Sequence, residues 1–240
     1  ADTAFTITLE HPIYVHNKGS KIILDEAHFN FHTLSGRYYS FGKILRADGY
    51  VLRAGTEKFT VDYLNKIKIL VIANALPNEG DWILPTKSAF TTLEIEAVKE
   101  WVSKGGSLFL IADHMPFAGA AASLANAFGF NFLNGFAMRR DQKTEEFSIQ
   151  KENLMKNSIT RGSNKKEQIN KIIVFTGQGF IAPPGAKIIS KLNEEYEIWM
   201  PQQAWEFSDS TAKCSGINLI NGAYLKHLQG RVVVMGEAAM

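Results

Sequence analysis

Five side chains at the ends of apolar runs have the chemistry for proton transfer or metal binding: Asp25, His28, Asp113, His114 and Glu237. In "IILDEAHFNFH" an apolar run stops at Asp25 and Glu26, and His28, Asn30 and His32 follow, with Arg37 shortly after. "SLFLIADHMPF" closes a second run with Asp113 and His114, "RVVVMGEAAM" closes a third with Glu237, and "ILVIANAL" adds Asn74. Neutral imidazole with carboxylate is the ligand set of zinc and other first-row ions such as manganese, which bring the pKa of bound water down to about 7. His28, His32, Asp113 and His114 are the candidate ligands for such an ion. Metal-free general acid/base work is the alternative, since histidine ordinarily titrates at about 6.5. In either chemistry Asp25, His28, Asp113, His114 and Glu237 are the expected catalytic groups. Glu26, Asn30, Arg37 and Asn74 are expected to contact substrate, Arg37 as a bidentate clamp for carboxylate or phosphate.

Each of these residues also has a structural use. Asp25 can cap a turn through nearby backbone groups. His32 can be a buried, hydrogen-bonded histidine, Arg37 can pair with Asp25 or Glu26, and Glu237 can cap a following helix. Asp113 and His114 together, closing an apolar strand before Met115 and Pro116, are the hardest to assign to packing alone. Trp199, Trp205 and Phe207 in "IWMPQQAWEF" suit core packing or a flat wall for a sugar.

The elements that must position these groups follow from hydrophobic patterning. Short apolar runs at 22–24, 50–52, 68–73 and 107–112 read as strands buried on both faces. The clearest helix spans 92–104, with Leu93, Ala97, Val98, Trp101 and Val102 on one face and Glu94, Glu96, Lys99 and Glu100 on the other. Thr91 with Glu94 forms a capping-box pattern, and Gly105 supplies the stop. Ser35 is expected to cap a helix through Tyr38, Phe41 and Leu45, and an alanine-rich helix is expected over 119–128. Residues 139–170 are polar and predict an irregular insertion or a small subdomain, after which strand-like runs return at 172–175, 187–190, 197–200 and 231–235. Strands alternating with helices imply an α/β fold of doubly wound, mainly parallel type, here one domain with an insertion. In such a sheet ligands bind beyond the carboxyl ends of the strands, the edge where all the polar clusters would gather.

Composition limits the partners. At 240 residues and 45% hydrophobic the chain can bury a large core. A formal charge of +2 gives no basis for nucleic-acid binding, so a small molecule is the expected partner. No apolar run approaches the ~18 residues of a membrane span. The single cysteine, Cys214, excludes an internal disulfide and reads as an ordinary thiol in a turn. "ADTAF" resembles the small-residue start of a mature exported protein, which favours export over a cytoplasmic location. The chain stops directly after its last strand, where a further helix is expected, so a boundary inside a longer protein is anticipated.

"ILDEAHFNFHT", "GRYYSFGKILRADGY", "AVKEWVSKGGSLFLIADH" and "GRVVVMGEAAM", in that order, resemble the class I glutamine-amidotransferase-like superfamily. The similarity is to its uncharacterised bacterial branch, related to the GIFT domain of intraflagellar transport proteins, and covers most of residues 20–138 and the last dozen. It implies a flavodoxin-like sheet with a site at the strand ends. Amidotransferases of that superfamily place a nucleophilic cysteine on a sharp turn after a strand, whereas this chain has "ADHMPFAG" there and its cysteine elsewhere. Glutamine hydrolysis through a thioester is therefore not expected. The leading expectation is a hydrolase, metal-assisted by zinc or manganese, acting on a small polar, carbohydrate-derived substrate. The alternative is a non-catalytic ligand-binding or interaction domain that keeps the crevice.

Overall fold

The computed structural model describes residues 2–80, 82–143 and 145–238. Its first half alternates strictly: β1 (Lys21–Asp25), α1 (Tyr39–Ala47), β2 (Val51–Gly55), α2 (Val61–Leu64), β3 (Ile69–Ala73), α3 (Thr92–Ser103), β4 (Ser107–Ile111) and α4 (Phe117–Asn126). Strands dominate the rest: β5 (Asn131–Phe132), β6 (Phe136–Arg139), β7 (Glu145–Ser148), β8 (Lys171–Val174), β9 (Phe180–Ile181) and β10 (Lys187–Lys191). They continue with β11 (Tyr196–Met200), β12 (Ala212–Ser215), β13 (Ile220–His227) and β14 (Gly230–Met235).

The main sheet runs β2-β1-β3-β4-β14-β13-β9-β5, with β10 also paired to β13. Its β2, β1, β3, β4 and β14 are mutually parallel, and β13 then turns antiparallel to β14. The fold is therefore α/β and flavodoxin-like, with the first strand between the second and third and a switch point between β1 and β3. The parallel half matches the apolar runs. β13 escaped the sequence reading because "INGAYLKH" mixes glycine and polar residues into a strand buried only over its first half.

Alternation along each strand sorts the core into two faces. Ile23, Leu70, Ile72, Leu108, Leu110, Val232 and Val234 pack beneath α3 and α4 on one face. Ile22, Leu24, Val71, Ala73 and Ile111 face α1 and the later strands on the other. There residues 139–170 contribute β7, which pairs with β8, while β6, β11 and β12 form a separate three-stranded sheet.

Two helix readings need correction. Helix α1 begins at Tyr39 rather than at Ser35, the intervening residues forming turns. In α3 the buried stripe is Glu94, Ala97, Val98, Trp101 and Val102, while Leu93 is 76% exposed. The spacing 94, 97, 98, 101 fits one face of a helix better than a stripe begun at 93, so a glutamate occupies what is by position a core site. The capping box of Thr91 and Glu94 forms as expected, and Gly105, at φ +109°, ends the helix.

Candidate active site

Because β1, β3, β4 and β14 run in one direction, Asp25, Asn74, Asp113 and Glu237 all fall at the carboxyl edge of the sheet. They divide there into two clusters with different chemistry.

The first cluster is closed. His28 is fully buried between the rings of Phe59 and Phe90, at centroid distances of 4.6 and 4.8 Å. Its Nδ1 lies 2.9 Å from both oxygens of Asp25, and its Nε2 lies 2.8 Å from Glu94 Oε1. Both imidazole nitrogens are therefore engaged by carboxyl groups in this arrangement. Asn30 completes the cluster, donating to Asp25 Oδ2 at 3.0 Å and accepting the His28 N–H at 3.1 Å. Burial pushes the Glu94 carboxyl up, but hydrogen bonds from the Thr91 N–H, the His28 ring and the Thr91 hydroxyl, with the charge of His28, bring it down to about 2. Glu94 thus ties the β1 loop to the start of α3. Its capping-box position was legible in sequence; its contact with His28 was not.

The second cluster is open. At the end of β3, Asn74 takes a left-handed backbone, φ +48°, a conformation Asn tolerates better than most residues. Its amide donates to Asp113 Oδ2 at 3.1 Å, and its carbonyl accepts the Asp113 N–H at 3.0 Å. Asp113 Oδ1 accepts the His114 N–H. Burial outweighs these bonds and raises the Asp113 carboxyl to about 6, although its side chain keeps 13% of its surface exposed. The His114 ring donates from Nδ1 to the Met115 carbonyl at 2.6 Å, and its Nε2 stands 3.5 Å from Asp113 Oδ1. Burial lowers His114 to about 4, so the ring is neutral at pH 7. It stacks on Phe136 at 4.5 Å and makes a T-shaped contact with Trp205 at 4.7 Å. Trp205 is 43% exposed with φ +69°, a strained position for so bulky a residue.

Other groups close around this edge. Tyr38 packs on His32 at 4.6 Å and donates to the Ala238 carbonyl at 3.1 Å. Burial and the charges of Asp113 and Glu237 raise its hydroxyl, which sets all three side chains within one electrostatic neighbourhood. Glu237 is buried and accepts the Phe175 N–H at 3.1 Å. His32, lowered to about 4 by burial and then by Arg37, has no hydrogen-bond partner on Nδ1 among the described residues. Gln178 is fully buried, its amide donating to the Ala112 carbonyl at 2.6 Å while its Oε1 has no partner among the described residues. Buried polar atoms without a partner are uncommon in folded proteins.

Of the substrate-contact candidates, Glu26 accepts the Leu34 N–H at 2.7 Å and so braces the loop, while Asn30 belongs to the closed cluster. Arg37 is exposed, its guanidinium 4.3 Å from the centroid of Phe31. Asn74 holds Asp113. Gln178, Tyr38 and Glu94 were not singled out as site residues in sequence; "TGQGF", with glycine on both sides of Gln178, was the one available signal for a tightly placed polar side chain. Among the described residues no group of three or more His, Cys, Asp or Glu side chains is arranged to hold a metal ion.

No protein-family profile matches the chain, and no curated protein matches it in sequence. Solved structures do match. The mmIFT52 N-terminal domain is 15% identical, with 90% of this chain and 85% of that one covered, at a TM-score of 0.65. A cytoplasmic protein of Salmonella typhimurium LT2, STM1381, is 11% identical over 91% of this chain and 87% of its own, at 0.55. A ThuA-like protein of Bacteroides uniformis, of the class I glutamine-amidotransferase-like fold, is 14% identical over 97% and 86%, at 0.50. These likenesses establish the fold. No helix among the described residues is long and apolar enough to cross a membrane.

Proposed function

We propose that the chain is a hydrolase that acts on a small polar substrate at the carboxyl edge of the parallel strands, with Asp113 as its general base. The observation that carries this reading is the Asp113 carboxyl itself: clamped by Asn74, raised to about 6, and still reached by solvent. A base with that pKa is mostly ionised at pH 7 yet strong enough to take a proton from water. The water oxygen then adds to the electrophilic carbon, and the protonated carboxyl returns its proton to the leaving group. His114, neutral and beside Asp113, offers Nε2 to the shared proton. The exposed indole of Trp205 next to His114 supports a carbohydrate-derived substrate, since sugars stack on such faces.

A second reading, a ligand-binding or interaction domain without catalysis, is supported by the His28 cluster, whose polar atoms are spent on one another. A panel of chromogenic esters, amides and glycosides separates the two. The hydrolase reading expects turnover of one class with kcat/KM rising through about pH 6, and a loss of about 10²-fold or more in Asp113→Asn. Absence of turnover across the panel, or turnover indifferent to Asp113→Asn, removes it in favour of the binding domain.

A further inference from the structure

A cavity of about 490 Å³ lies where the β13–β14 hairpin meets the start of β10. This is the amino-terminal edge of the parallel strands: Arg231 stands at the start of β14, level with Ser107 at the start of β4, whereas Glu237 follows the far end of β14. At about 3.3 Å of rise per residue, the length of β14 separates this cavity from the edge of Asp113 and Glu237 by on the order of 20 Å.

Three cations line the cavity: Lys187 on β10, Lys226 on β13 and Arg231 on β14. Strand register puts them on one face of the sheet. Lys226 is directly opposite Arg231, and Lys187 is directly opposite Tyr224, which shares a face with Lys226 two positions further along β13. Directly opposed side chains stand about 5 Å apart and diagonal neighbours about 7–8 Å, so these three long side chains can reach a common point. All three residues are exposed, no carboxylate lines the cavity, and none of the three forms an ion pair among the described residues. Like charges directly opposite each other destabilise a sheet. A bound anion would remove that cost.

The rest of the lining is hydroxylic and apolar. The Tyr224 and Ser158 hydroxyls lie 3.0 Å apart, and whichever of them donates to the other, the acceptor keeps its own proton for a ligand. Ile159, 41% exposed, and Val233, directly opposite Tyr224, supply apolar surface.

We propose that this cavity binds a small phosphate monoester with an aromatic or apolar body, the phosphate held between Lys187, Lys226 and Arg231 and the body lying against Tyr224, Ile159 and Val233. A phosphate monoester carries about −1.5 to −2 charge at pH 7 and three strong acceptor oxygens, which suits three cations and a free hydroxyl better than a single carboxylate does. The planar fork of Arg231 can take two of those oxygens, and the lysines act as point charges. The site does not rest on the hydrolytic reading, and it would operate in a binding domain as well as in an enzyme.

Phenyl phosphate is the probe, with phenol and inorganic phosphate as controls, titrated calorimetrically at pH 7 and low ionic strength. Phenyl phosphate should bind at submillimolar concentration, about tenfold or more tighter than inorganic phosphate because its ring is buried as well. Phenol should not bind measurably. Affinity should fall steeply between about 0.01 M and 1 M salt, as the screening length drops from about 30 to 3 Å. Lys226→Ala and Arg231→Gln should each weaken phenyl phosphate by about tenfold or more. Each should also leave the unliganded protein as heat-stable as the wild type or more so, because it removes one of two opposed like charges. Asp113→Asn should bind phenyl phosphate like the wild type, which keeps this test separate from that of the hydrolase. The proposal is overturned by no phenyl phosphate binding at millimolar concentration, by phenol or inorganic phosphate binding as tightly as phenyl phosphate, or by unaltered binding in Lys226→Ala and Arg231→Gln.

Discussion

The two polar clusters at the carboxyl edge lie at the ends of nearby parallel strands, yet they spend their hydrogen bonds differently. Around His28, both ring nitrogens, both Asp25 oxygens and the Glu94 carboxylate are satisfied by one another and by Asn30, Thr91 and the Phe59 N–H. Around Asp113, the carboxyl is clamped but desolvated, while His32 and Gln178 each keep a buried atom without a partner among the described residues. The first arrangement favours the ionised form of Glu94; the second opposes ionisation of Asp113. A cluster that is satisfied holds the fold, and one whose charge costs free energy is where chemistry can be done.

The sharpest way to break this comparison is to remove the histidine. His28→Ala leaves Asp25 and Glu94 buried against each other without the group between them, and should cost about 3–5 kcal/mol in urea unfolding. A cost below about 1 kcal/mol would mean that the closed cluster is not structural. Asp113→Asn should do the reverse. A carboxyl raised from 3.8 to about 6 on folding contributes stability that is fully present below pH 3.8 and is lost as pH rises through 6. The amide removes that loss, so the variant should match the wild type at pH 3.5 and exceed it by about 1–3 kcal/mol at pH 8. Equal stability at both pH values would show that the carboxyl is not desolvated.

Acid should find the closed cluster last. His32 and His114, lowered to about 4, contribute stability present above pH 6.5 and lost as pH falls through 4, whereas the contribution of Glu94 is present above 4.5 and persists until pH falls through about 2. Stability followed against pH should therefore fall in two stages, and Glu94→Gln should remove the second. The smallest effect is expected from Asn74→Gly, which keeps the left-handed backbone and deletes the clamp. Loss of the hydrogen bond to the charged carboxylate should move the Asp113 titration upward by up to about one pH unit, read by NMR or from the pH-rate profile.

Apolar runs and helix signals in the first half of the sequence are local, and they placed β1, β3, β4 and α3 to within a residue or two, together with the capping box and its stop at Gly105. Strand direction then followed from the alternation with helices, and with it the expectation that Asp25, Asn74, Asp113 and Glu237 share an edge. The mixed strand β13 and the ordered part of the insertion gave no such local signal, because their apolar residues are few and interleaved with polar ones.

What chain patterning determined about this protein is the parallel frame and the list of polar residues at its edge. Which of them are spent and which remain available was decided only in three dimensions. His28 is enclosed because Glu94, 66 positions away, turns inward from α3, and Asp113 is poised because Asn74 clamps it from the neighbouring strand. The physical reason is that burial and hydrogen bonding set the protonation of a side chain, and both depend on groups that packing, not sequence proximity, brings against it.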